Sequence, residues 1–156
     1  MGDDDQYIRE QITRSRLRST IELAKRLMAG RKDWKGRDYH LHDIEVMELL
    51  PPRSTDIERK AALLHSTLDT GAATPDDLLA YGIEPRVVEI LMLVTNGPGV
   101  TSYSAYMQKC RDIVASKNRA AMKVKLADML ANTGHPRNDY TETIELMRAG
   151  LQSRRL

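Results

Sequence analysis

Three observations predict an all-α fold. Apolar residues recur at a helical period along most of the 156-residue chain. No stretch sustains the alternation of a half-buried strand. The breaks between periodic stretches carry residues that start and stop helices. Ile8, Ile12, Leu17, Ile21, Ala24, Leu27 and Met28 mark a long first helix that Gly30 stops. A polar loop over 31–41 follows. Ile44, Val46, Met47, Leu49 and Leu50 form a short second helix, ended by Pro51-Pro52 because proline restricts the residue before it and lacks a backbone N–H. Ser54-Thr55-Asp56 offers caps for a third helix through Ala61, Leu64 and about Leu68. Thr74-Pro75-Asp76-Asp77 opens another, with proline in the first turn and acids at the positive dipole end. Glu84-Pro85 opens the next, through Val87, Val88, Ile90, Leu91 and Val94. Beyond the Asn96-Gly97-Pro98-Gly99 loop lie helices from Ser102 to about Ala115 and from Asn118 to about Leu130. Gly134-His135-Pro136 breaks the chain before a last helix within 139–152.

The length suits one domain over 1–156, and no linker or repeat divides it. Phe is absent, so Leu, Ile, Val and Met must build the core. Twenty-four basic against twenty-two acidic residues leave +2, too balanced to indicate specific nucleic-acid binding. The clusters at Arg14, Arg16, Arg18 and at Arg154-Arg155 read as solvated helix faces. The single cysteine, Cys110, cannot form an internal disulfide and reads as a small core residue. No run reaches the roughly 18–20 apolar residues of a membrane span, and Met-Gly-Asp-Asp-Asp is unlike a signal peptide. A soluble, cytoplasmic protein with no membrane partner is expected.

Chemistry gathers around the histidines. Imidazole and carboxylate together suit divalent transition metals when they converge from separate elements. His42 at the start of the second helix, His65 at the end of the third and Asp128 within the seventh are candidates. Each alone would read as a capping or surface group. Gly30 to Val46, with Ala29-Gly30-Arg31 and Gly36-Arg37-Asp38-Tyr39-His40-Leu41-His42, resembles the Ala-Gly-Gln and Tyr-x-x-His-Pro segment of HD-domain hydrolases of the RelA/SpoT type. Ala61-Ala62-Leu63-Leu64-His65-Ser66-Thr67-Leu68-Asp69-Thr70 resembles that family's Leu-Leu-His-Asp-x-x-Glu-Asp-Thr. Val124-Lys125-Leu126-Ala127-Asp128 through Asn132 resembles its Val-Lys-Leu-Ala-Asp-x-x-x-Asn. The likeness covers about residues 20–135, in order.

The resemblance implies a single-domain HD-type helical bundle. It implies one divalent metal, often manganese, held by His42, His65 and Asp128, with position 66 as the fourth ligand. It assigns Asp69 to position or deprotonate water. It places Asn132, Tyr103 and Tyr106 against a nucleotide and allows Lys125 to meet phosphate. The implied reaction is hydrolysis of a nucleotide pyrophosphate of the guanosine 3′-pyrophosphate alarmone type. Arg31, with Lys32, Lys35 and Arg37, could face phosphate or simply form an exposed basic loop. His40 reads as structural.

Three departures stand out. Ser66 replaces the anionic ligand, and Thr70 replaces a carboxylate of the water-organising pair, while Asp69 is one methylene shorter than the family's Glu. Fewer carboxylates mean weaker cation binding. The alternative is therefore an inactive HD pseudoenzyme that binds a nucleotide or a protein. A third possibility is that the histidines are structural and the helical surface mediates assembly, since homo-oligomer formation is open.

Overall fold

The computed structural model describes residues 2–153, so Arg154-Arg155 lies outside the described residues. Among these residues the chain forms nine helices and no strand: α1 (Asp3–Arg16), α2 (Arg18–Leu27), α3 (Tyr39–Glu48), α4 (Asp56–Asp69), α5 (Pro75–Ala80), α6 (Pro85–Val94), α7 (Tyr103–Ala115), α8 (Arg119–Ala131) and α9 (Thr141–Gln152). None of these helices is long and apolar enough to cross a membrane.

The middle of the bundle is α4, which packs on α2, α3, α6 and α8. Every residue from Ala61 to Thr67 is buried, the mark of a helix surrounded on all sides. Burial of Leu63 and Leu64 contributes roughly 1.5–3 kcal/mol each. The N-terminus of α4 is held by a capping box in which Thr55 accepts from the Glu58 backbone and Glu58 accepts from the Thr55 backbone. Glu58 also pairs with Lys123 of α8 at 3.1 Å, tying the two central helices together. The second central helix, α8, packs on α3, α4, α6, α7 and α9. Cys110 is buried in the core, as expected of a small apolar residue.

The expected long first helix is two helices. Leu17 leaves helical geometry (φ −98°, ψ 11°) and is 1% exposed. The hydrogen-bond run continues through the break, with Leu17 N–H donating to Thr13 O and Ile21 N–H to Leu17 O, so the apolar period does not reveal it. Before the break α1 buries nothing: Ile8 and Ile12 are 53% and 57% exposed. Arg14 and Arg16 anchor α1 through ion pairs with Glu48 and Asp56.

The second expected helix begins earlier than the apolar pattern suggests, at Tyr39. Asp33 accepts from the backbone N–H groups of Lys35 and Arg37, both at 2.9 Å, and folds 33–37 into a tight turn. Gly36 (φ +81°) supplies the left-handed conformation that this turn requires. Tyr39 N–H then donates to Arg31 O. The compact loop places His42 one turn inside α3, where it is buried.

Candidate metal centre

Three helices bring the motif residues together. His42 Nε2 lies 3.5 Å and His65 Nε2 3.2 Å from the same atom, Asp128 Oδ1. The two rings are 5.6 Å apart between centroids. His65 Nδ1–H donates to Ala62 O at 2.6 Å, the preceding turn of its own helix, which leaves Nε2 to face the centre. The group whose donor atoms all lie within 4.8 Å of one another is His42, Asp43 and His65, and Asp128 stands beside it as the acceptor facing both histidines. His42 and His65 are 3% and 5% exposed, while the Asp128 side chain is 20% exposed, so the cluster reaches solvent on the Asp128 side.

Asn132 fixes the carboxylate from the end of α8. Its Nδ2 donates to Asp128 Oδ1 and to Asp128 O, both at 2.9 Å. Its Oδ1 accepts from Trp34 Nε1 at 3.0 Å, so the 31–38 loop closes over this side of the centre. Trp34 also packs against His135, with centroids 5.1 Å apart.

Ser66 points into the same cluster. Its hydroxyl donates to Asp43 Oδ1 at 2.6 Å and lies 3.2 Å from His65 Nε2. Asp43 Oδ1 is 3.5 Å from His65 Nδ1. Donor atoms of His42, Asp43 and His65 all lie within 4.8 Å of one another. Asp43 is absent from the motif-based ligand set. Its sequence signal is its position on the buried stripe of α3, with Val46 and Met47, where an aspartate is costly.

The charges act on one another strongly. Burial would push the His65 imidazole down, but the charges of Asp128 and Asp43 and a hydrogen bond to Asp128 outweigh it and push the pKa up to about 9. Burial would raise Asp128, yet the charge of His65 and the hydrogen bonds from both histidines hold it well below the usual carboxylate range. Burial raises Asp43, opposed by His65 and Ser66. Tyr39 packs edge-on to His42 at 5.5 Å and is pushed up by burial to about 12, so it stays a phenol at neutral pH.

The remaining motif residues are placed as follows. Asp69 is exposed, and its Oδ1 accepts from Asn96 N–H at 2.9 Å. The Thr70 hydroxyl donates to Ser66 O at 2.8 Å. Lys125 is 2% exposed and donates to Asn96 Oδ1 at 2.9 Å, with its ammonium 4.8 Å from the Tyr106 ring. Tyr106 packs edge-on to Tyr140 at 5.9 Å, and burial raises its phenol pKa. Tyr103 is 52% exposed and donates to Glu142 at 2.9 Å. Arg31 is exposed at the start of the loop. Lys32, Lys35 and Arg37 are matched by Asp38, Glu45 and Asp33, which reduces their field toward an anion. A separate cleft of about 530 Å³ lies between α1 and the end of α3 and touches none of the histidines.

In comparisons with known proteins, no family model matches the chain and no curated protein matches it.

Proposed function

We propose that the chain is an HD-type, metal-dependent phosphohydrolase domain acting on a nucleotide pyrophosphate of the guanosine 3′-pyrophosphate class. The observation that carries this reading is the convergence of His42 Nε2 and His65 Nε2 on Asp128 Oδ1 from three separate helices. The donor chemistry fits a divalent first-row cation, with manganese the first candidate. When bound, such a cation supplies Lewis acidity to water and to phosphate oxygens. His42, His65 and Asp128 would hold it, and Asn132 keeps Asp128 aimed. The resemblance gives Asp69 the role of positioning or deprotonating water, for which its Oδ2 would serve, because Oδ1 is engaged by Asn96 N–H. Tyr39 would donate a hydrogen bond at neutral pH rather than carry charge.

A second reading is a nucleotide-binding module without turnover. It is favoured by Thr70, whose hydroxyl is turned back to Ser66 O where a second acid would help to orient water. Manganese titration by calorimetry on wild type and His65→Ala, followed by an assay for pyrophosphate release from guanosine 3′-pyrophosphates, separates the two. Stoichiometric manganese lost in His65→Ala, with manganese-dependent release, is the expected outcome. Manganese and nucleotide binding with no release would favour the second reading. No manganese binding up to millimolar concentration would overturn the hydrolase.

A further inference from the structure

We infer that Asp43 supplies the second anionic ligand of this centre, in place of the carboxylate missing at position 66; the inference rests on the metal-binding reading above. Asp43 is 0% exposed. Its Oδ2 is buried without a hydrogen-bond partner among the described residues. A buried carboxylate with one oxygen left bare is strongly unfavourable, and a charged partner is the usual remedy. No lysine or arginine pairs with Asp43 among the described residues; the basic side chain beside it is His65, whose Nδ1 stands 3.5 Å from Oδ1. A donor atom of Asp43 already lies within 4.8 Å of donor atoms of both histidines.

Two simpler roles fit less well. Asp43 is not needed to orient His65, because Ala62 O accepts from Nδ1 at 2.6 Å while Asp43 Oδ1 stands at 3.5 Å. Nor is it a surface acid that happens to fall near the site, since it lies on the buried stripe of α3. The Ser66 hydroxyl, donating to Asp43 Oδ1 at 2.6 Å, fixes that oxygen and leaves Oδ2 without a partner. Two carboxylates and two neutral imidazoles would balance the charge of a bound divalent ion.

The test is manganese titration of wild type and Asp43→Asn by calorimetry, with thermal melts of both in excess chelator. Asp43→Asn keeps the shape and removes the charge. Manganese affinity is expected to fall by roughly 100-fold or more, beyond what loss of a group that merely orients a ligand commonly costs. The chelated melts show that the variant folds, so that a fall in affinity is read on a folded protein. Should Asp43→Asn not fold, Asp43→Ser carries the same expectation. Adding Ser66→Asp to either variant is expected to recover manganese affinity to within about tenfold of wild type. A neutral variant that binds manganese like wild type overturns the role of Asp43 and leaves the His42–His65–Asp128 reading standing. Wild type that binds no manganese overturns both.

Discussion

His65 holds its proton between two carboxylates, and this ties stability to pH. Its pKa is raised from about 6.5, the value of an unfolded histidine, to about 9 in the fold. A group that binds its proton more tightly when folded stabilises the fold fully below the lower value. That contribution is lost as pH rises through the higher one. In chelator, the melting advantage of wild type over His65→Gln should therefore shrink between pH 6.5 and 9. Calorimetric scans of both proteins across that range check it, and an unchanging difference would contradict the assigned electrostatics. At this scale His42, His65 and Asp128 were legible because each lies in a distinctive short motif. Asp43 was not, because the motif directs attention to the residue after His65. What marks Asp43 is its place on the apolar face of α3, together with Ser66 reaching it across to α4.

Helix starts were more legible than helix breaks. Thr55, Thr74, Ser102 and Asn118 all accept from backbone N–H groups as N-caps, and short polar side chains before an apolar run foretell such roles. The break at Leu17 has no such signature, since a buried leucine leaves helical geometry while the hydrogen bonds run on. Thr55→Ala removes the acceptor for Glu58 N–H and should cost about 1 kcal/mol, read as a lower midpoint in urea. The docking of α9 depends on Gly150. A Cβ there would meet the Val114 methyls at 3.1 Å and Met122 Sδ at 3.2 Å. Gly150→Leu should destabilise by about 1–3 kcal/mol through overpacking, despite the better helix propensity of leucine. A urea midpoint equal to wild type would mean that α9 shifts outward at little cost.

Stability is distributed unevenly over the molecule. The core runs through α4 and α8, while α1 buries no residue and rests on its contact with α2 and its ion pairs. Exposed ion pairs contribute little. Amide hydrogen exchange should therefore be fastest in α1 and slowest in the middle of α4 and α8. Protection in α1 equal to that in α4 would show that Tyr7, Ile8 and Ile12 are covered in solution. The all-helical architecture followed from period and caps alone, whereas the closing of the 31–38 loop onto Asn132 depends on contacts distant in sequence. That closure also gives the whole molecule an optical property. Trp34 is the only tryptophan in the chain, and its indole donates to the asparagine that holds Asp128. Fluorescence excited near 295 nm, a wavelength that selects indole, therefore originates at the rim of the centre. A paramagnetic ion settling there would dim the emission of the entire protein, making cation arrival visible without any label.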